Sequence, residues 1–163
     1  MKEVLQRVLP EVLNKGTDYL VIAYEGKADL DRSIVRKLRA FPREDKFVIL
    51  RDQDSADCKN LKSRIRELCI EAGRPDSLVR IVCHELESWF LGDLVAVERA
   101  FNANGIARRQ DQKRFRAPDQ VPNASQVLRS LIPDYQKISG SRSIAEYMDL
   151  DNNRSYSFKV FLD

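Results

Sequence analysis

The sequence predicts an α/β protein in which a parallel β-sheet is flanked by helices. Three short runs are almost wholly apolar and rich in strand-forming residues, at positions 19–24, 47–50 and 78–83. Each run is followed by a segment whose apolar residues repeat at helical spacing. Strands that are apolar throughout are buried on both faces, and alternation of strand and helix indicates parallel strands joined by right-handed crossovers.

Helices are predicted before, between and after these runs. Apolar residues at helical spacing begin at Val4, and Pro10 predicts a kink or the start of a second short helix. Asp29 is a good N-cap for the helix that follows the first run. The helix predicted over residues 86–101 should break at Gly92 and Asp93.

The length of 163 residues fits a single domain, 1–163. Its sheet-bearing core should span about residues 17–101. The rest, about 102–163, is a mostly helical and irregular C-terminal extension, because residues 102–123 lack periodicity and only two short helices follow, near residues 127–132 and 144–148.

Composition predicts a folded cytoplasmic protein without disulfides. Hydrophobic residues make up 43% and charged residues 33% of the chain, and no apolar run approaches the roughly 20 residues of a membrane-spanning helix. The three cysteines are an odd number without a C-x-x-C pair. Neither G-x-G-x-x-G nor a P-loop occurs, so any nucleotide-driven step would belong to a partner.

Acidic residues follow all three predicted strands. Glu25 follows the first, Asp52 and Asp54 the second, and Glu85 and Glu87 the third. The carboxyl ends of parallel strands share one edge of a sheet, so these carboxylates are expected to converge there. Their repulsion would then require a cation, and oxygen ligands favour Mg²⁺ or Mn²⁺.

We therefore predict a metal site formed by Glu25, Asp52 and Asp54, with Glu87 as a fourth ligand in preference to Glu85. On a helix the last two would project about 200° apart, so only one could face the site. The competing interpretation is that acids after strands cap helices and stabilise helix dipoles. His84, the only histidine, is expected to pack or hydrogen-bond rather than to catalyse.

A first strand ending in Glu25-Gly26-Lys27 and a second ending in Asp52-Gln53-Asp54 together resemble the Toprim domain of topoisomerases, primases and overcoming-lysogenization-defect nucleases. In that domain a glutamate and an Asp-x-Asp pair hold Mg²⁺ for phosphoryl chemistry. Ala56 stands where many Toprim enzymes carry a third acid, so the resemblance does not imply topoisomerase chemistry.

Two further stretches, residues 80–93 and 135–140, are similar to an uncharacterised bacterial family of Toprim-like proteins. Members of that family are often encoded beside ATPases in phage-defence loci. The resemblance covers nearly the whole chain and implies a Toprim-like parallel sheet, with an ATPase as a candidate protein partner.

Basic residues predict possible phosphate contacts in two places. The segment 108–116 holds five cations against the single acid Asp111, and Phe115 offers one ring for base stacking. Lys137 and Arg142 flank Ser139-Gly140-Ser141, expected just before a helix, where free N–H groups could hold an anion. The residues assigned to DNA or RNA phosphates are Lys27, Arg108, Arg109, Lys113, Arg114, Lys137 and Arg142.

Two functional hypotheses follow. The first is a Mg²⁺-dependent nuclease or phosphoryl-transfer protein acting on nucleic acid, with Glu25, Asp52 and Asp54 as catalytic residues and Glu25 also as general base; the family resemblance implies a role in phage defence. The second is a non-enzymatic partner or regulatory subunit of an ATPase-containing defence complex. Both use one fold, so the fold alone does not decide between them.

Overall fold

A computed structural model describes residues 1–163 as nine α-helices around a two-stranded parallel sheet. The chain therefore has α/β architecture, as predicted. Two short 3-10 turns, Ala107–Arg109 and Pro118–Gln120, interrupt the second half. The elements are α1 Lys2–Val12, α2 Lys27–Arg39, β1 Val48–Asp52, α3 Cys58–Glu71, β2 Leu78–Val82, α4 Glu87–Leu91, α5 Leu94–Phe101, α6 Lys113–Arg116, α7 Ala124–Leu131, α8 Lys137–Ala145 and α9 Tyr156–Leu162.

The sheet separates two apolar clusters. Strand β1 pairs with β2 in parallel, with Val48 opposite Leu78 and Asp52 opposite Val82. Because side chains alternate across a strand, Ile49 faces one cluster and Leu50 the other. The minor cluster has 8 buried residues, mainly from α2 and α3. The major cluster has 22 buried residues from α1, β2 and the helices that follow it.

The predicted first strand, residues 19–24, is absent. No backbone hydrogen bond joins residues 18–25 to another backbone group, and the side chain of Leu20 is 72% exposed. Only Tyr24 packs against the minor cluster, with the Lys37 ammonium 4.0 Å from the centre of its ring. An apolar run forms a strand only when its backbone groups pair with a neighbouring strand, and residues 19–24 make no such pairs although β1 has one unpaired edge.

Most helix predictions are confirmed, although several boundaries differ. Pro10 lies inside one continuous helix, α1. The break between α4 and α5 is as predicted, because the Asp93 carboxylate accepts from the Ala96 N–H at 3.0 Å and caps α5. Asp29 lies in the first turn of α2, whose N-cap is Gly26. Helix α9 was not predicted.

Gly92, at the break, is required by close packing. A Cβ atom there would lie 2.2 Å from the Asn153 side-chain oxygen and 2.8 Å from the Ser155 backbone nitrogen. The Gly92 carbonyl accepts from the Arg154 N–H at 2.9 Å, and the Asn153 amide donates to the Trp89 carbonyl. The segment before α9 is therefore held against the end of α4.

No helix of the structure has both the length and the apolarity needed to cross a membrane. The thiols of Cys58, Cys69 and Cys83 are unpaired.

Candidate acidic site

Asp52, the last residue of β1, carries the most unusual carboxylate in the protein. Its Oδ1 atom is buried and has no hydrogen-bond partner. Burial, and after it the charge of the Glu87 carboxylate, raises the pKa of Asp52 to about 6, against the opposing charge of the Met1 amino group. The structure thus leaves one carboxylate oxygen free in a poorly solvated position.

Glu87, the first residue of α4, forms the second half of this buried pair. It is 3% exposed, and the Tyr135 hydroxyl donates to its Oε1 at 3.1 Å. The same hydroxyl lies 3.2 Å from Ser141 Oγ, and Ser141 donates to the Lys137 carbonyl. Burial, together with the charge of Glu87, raises the pKa of Tyr135, so this phenol remains a proton donor.

Gly140 allows Tyr135 to reach Glu87. A Cβ at Gly140 would lie 2.5 Å from the Tyr135 ring, so the ring rests directly on the backbone of α8. Residues 139–141 were expected to precede a helix, but they lie inside α8, where the Gly140 N–H donates to the Gln136 carbonyl at 2.8 Å. The predicted anion site of free N–H groups is therefore wrong.

Two positive groups lie within electrostatic reach of Asp52, and a third cation, Arg142, is engaged elsewhere. The Met1 amino group and Lys137 both lower the pKa of Asp52 by their charge. Arg142, predicted to bind phosphate, instead donates to the Glu3 carboxylate at 2.6 Å and so links α8 to α1. Of the two cations predicted to hold an anion, Lys137 and Arg142, Lys137 is therefore the one whose charge acts on Asp52.

Asp54 lies on the exposed turn after β1, where its charge still raises the pKa of Asp52. Its φ of 54° is left-handed, and its N–H donates to the His84 carbonyl at 2.7 Å. The Lys27 ammonium lies 3.3 Å from its carboxylate, and both side chains are largely exposed. The Gln53 amide oxygen accepts from the His84 N–H at 3.3 Å, so His84 contributes backbone contacts to this turn.

The other two predicted acids are engaged elsewhere or exposed. Glu25 is exposed, and its own N–H donates to the Asp29 carboxylate at 3.1 Å. Glu85 accepts from the N–H and hydroxyl of Ser125 at 2.9 and 3.0 Å, at the start of α7. Glu85 therefore acts as a helix-capping acid, as the alternative interpretation predicted for acids after strands.

The predicted three-ligand set does not assemble in this arrangement. No group of three or more His, Cys, Asp or Glu side chains is placed so that it could hold a metal ion. Mg²⁺, however, is commonly bound through one or two carboxylates completed by water and substrate phosphates. The pair Asp52 and Glu87 fits that mode, because one buried oxygen of Asp52 has no partner.

The basic segment, residues 108–116, is an ordered surface. Its cations Arg108, Arg109, Lys113, Arg114 and Arg116 are all exposed, and none forms an ion pair. Phe115 is 2% exposed, so it cannot stack on a base, and that expectation is wrong. The Arg109 guanidinium instead lies 5.8 Å from the centre of the Phe115 ring.

Sequence reasoning missed Tyr135 as a member of the site. The hydroxyl comes from a residue 48 positions after Glu87, and no local pattern links the two. The available signal was the stretch 135–140, which joins a tyrosine to a glycine five residues later without an evident role. Contact between the Tyr135 ring and Gly140 explains that spacing.

The family model described as "Domain of unknown function (DUF4276)" matches residues 1–163 of the chain. Searches of curated proteins and of solved structures found no significant match.

Proposed function

The chain belongs to the DUF4276 family, whose description names no function, and from its geometry we propose a Mg²⁺- or Mn²⁺-dependent phosphoryl-transfer protein of nuclease type acting on nucleic acid. One observation carries this proposal. The half-buried carboxylate of Asp52 at the end of β1 lies within electrostatic reach of the buried Glu87 carboxylate, and the enclosed Asp52 Oδ1 has no partner.

Electrostatics support a cation at this pair. Two carboxylates in a poorly solvated position cannot both remain ionised without a proton or a cation to balance them. The Met1 amino group and Lys137 provide part of that balance. At neutral pH a divalent ion can replace the proton, and the free Asp52 oxygen offers it a ligand.

Each residue has a distinct role in the proposal. Asp52 and Glu87 hold the ion, which when bound would neutralise phosphate charge and lower the pKa of a bound water. The Tyr135 hydroxyl fixes the Glu87 carboxylate in one orientation. The exposed Lys27 ammonium, beside Asp54 at the same edge, can donate to a substrate phosphate. Glu25, two residues earlier and exposed, is the candidate general base.

The likeness of Glu25-Gly26-Lys27 and Asp52-Gln53-Asp54 to Toprim metal sites also supports the proposal. The Toprim pattern and this structure differ in one respect, since Glu87 rather than Glu25 accompanies Asp52 here. Glu87, the weaker candidate from sequence, therefore takes the main ligand role in the proposal.

A docking subunit, for example of an ATPase complex, is the second candidate. Residues 18–25 favour it, because their backbone groups lack backbone partners and the side chains of Tyr19, Leu20 and Ile22 are 45%, 72% and 39% exposed. Such a segment can add as a strand to a partner's sheet. This alternative requires no chemistry at Asp52.

A metal-linked stability measurement with a cleavage assay tests the two candidates. Mn²⁺ at about 100 times its Kd should raise the free energy of unfolding by about 2.7 kcal/mol, because only the folded state assembles the site. Asp52→Asn and Glu87→Gln should each abolish that rise and metal-dependent cleavage of labelled DNA or RNA. Asp76→Asn, at an exposed acid after α3, is the matched control and should change neither.

An Mn²⁺-induced rise that persists in Asp52→Asn would remove this residue from the site. Wild-type protein that shows neither a metal-induced rise nor cleavage of single-stranded, double-stranded or supercoiled substrates would overturn the enzyme proposal and favour docking.

A further inference from the structure

Two open clefts meet at Pro122. One, of about 440 Å³, is lined by Lys113, Arg114, Ala117 and residues 120–123. The other, of about 410 Å³, is lined by residues 53–56 and by His84 and Glu85. Pro122 lines both, so the clefts are neighbours, and we refer to the two together as the Pro122 groove.

The two ends of the Pro122 groove carry opposite charge. Lys113 and Arg114 at one end are exposed and lack ion-pair partners, and no acid lines that cleft. The other end holds Asp54, already paired with Lys27, and Glu85, already engaged by Ser125. Positive charge is therefore concentrated at the α6 end, whereas Glu85 keeps its negative charge at the other end, because its Ser125 donors are neutral.

The cationic end is built on a rigid support. The Gln110 side chain accepts from the Leu94 N–H at 2.6 Å and donates to the carbonyls of Leu91 and Phe115, both at 3.1 Å. The Phe115 ring is buried in the major cluster. These contacts fix the backbone of α6 against α4 and α5, so the chain positions from which its cations extend are fixed.

We propose that the Pro122 groove binds the phosphodiester backbone of a single nucleic-acid strand, with Lys113 and Arg114 on its phosphates and the Asp54 edge of the sheet at the other end. The proposal rests on the proposed function for the identity of the polyanion. The groove adds residues from the C-terminal half of the chain, between Lys113 and Asn123, to the proposed binding surface.

The lining residues favour phosphate contacts over base recognition. No Phe, Tyr or Trp ring lines either cleft, so stacking does not contribute there. Besides the two cations, the amides of Gln120 and Asn123 are donors suited to phosphate oxygens. Binding should therefore be independent of sequence and strongly dependent on salt. The cleft volumes are those of small-ligand sites, which suits one strand rather than a duplex.

Fluorescence anisotropy with a labelled 12-nucleotide oligo-dT in EDTA tests the groove without the metal site. Replacing Lys113 and Arg114 with Ser should reduce the slope of log K against log salt by about 1.4, since each single-strand phosphate contact contributes about 0.7. Arg36→Ser with Arg66→Ser removes the same charge at exposed, unpaired positions of α2 and α3 and should leave the slope nearly unchanged.

A second variant tests the path past Pro122. Pro122→Glu places a negative charge where the clefts meet, at an exposed residue, and should weaken oligo-dT binding at least as much as the loss of one cation. Thermal melting of each variant confirms that it is folded.

Four results would overturn the groove: no oligo-dT binding by the wild type, equal slopes for the two double variants, binding unaffected by Pro122→Glu, or competition by poly-glutamate as strong as that by oligonucleotide. Failure of the proposed function looks different. Oligo-dT binding that depends on Lys113 and Arg114, without metal-dependent cleavage, would refute the enzyme proposal and leave the groove intact.

Discussion

The two apolar clusters on either side of the sheet differ in size and in the source of their residues. The minor cluster has 8 buried residues, all between Leu30 and Val79, from consecutive strand and helix units. The major cluster has 22, from Val4 to Phe158, and joins the first helix of the chain to the last. Nearly half of the buried residues in the two clusters thus lie outside the strand and helix units that first indicate the fold.

This difference has a functional consequence. Asp52 comes from β1, whereas the groups that define its surroundings come from elements of the major cluster: Glu87 from α4, Tyr135 from the turn before α8 and Lys137 from α8. The acidic site is therefore a product of the C-terminal helices as much as of the sheet. Mutations in the two clusters should therefore have different effects on the stability of the protein.

The largest expected effect is in the major cluster. Trp89 is fully buried, its ring centre lies 4.9 Å from that of Phe158, and its indole N–H donates to Ser157 at 3.0 Å. Trp89→Ala should lower the free energy of unfolding by about 3–5 kcal/mol. Leu61→Ala in the minor cluster, where Leu61 is 6% exposed, should cost about 2–3 kcal/mol. Urea unfolding measures both, and a larger loss for Leu61→Ala would reverse the ranking of the clusters.

An intermediate effect is expected from pH at Asp52. The folded-state pKa is raised from 3.8 to about 6. The folded protein therefore binds a proton that the unfolded chain has released, so this contribution is full below pH about 4 and is lost as pH rises to about 6. Its size is on the order of 1–3 kcal/mol. Urea midpoints between pH 4.5 and 7.5 should show the decline, and Asp52→Asn should remove it.

Several charged groups face Asp52 and shape this profile, namely Glu87, Asp54, Lys137 and the Met1 amino group. Asp76→Asn, which changes an exposed acid, should retain the decline of the wild type. An unchanged decline in Asp52→Asn would assign the titration to another group.

The smallest effect of mutation on stability is expected in residues 18–25, which precede α2. Replacing Leu20 and Ile22 with Ser should change the free energy of unfolding by no more than about 0.5 kcal/mol, because both are exposed. Amides 18–24 should exchange with deuterium rapidly, since they donate to no backbone group. If the double substitution instead lowers the free energy of unfolding by more than about 2 kcal/mol and these amides exchange slowly, residues 19–24 form a third strand beside the minor cluster.

The sequence alone predicted the elements that local chemistry specifies. The strands β1 and β2 are short apolar runs, α2 and α3 show helical spacing, and the Asp93 cap after Gly92 separates α4 from α5. Side-chain periodicity and capping act within a few residues, so they can be read locally. The same logic placed acids at the carboxyl end of the sheet, and Asp52 and Glu87 do lie near one another there.

Tertiary structure decided what depends on partners distant in the chain. Residues 19–24 are as apolar as β1 but make no backbone pairs, because apolarity does not specify a neighbouring strand. Glu85 and Glu87 look alike in sequence, yet one caps α7 and the other lies by Asp52, because Glu85 lies in the bend before α4 and Glu87 is the first residue of that helix. Tyr135 and Phe115 likewise gained their roles from burial against residues far away in the chain.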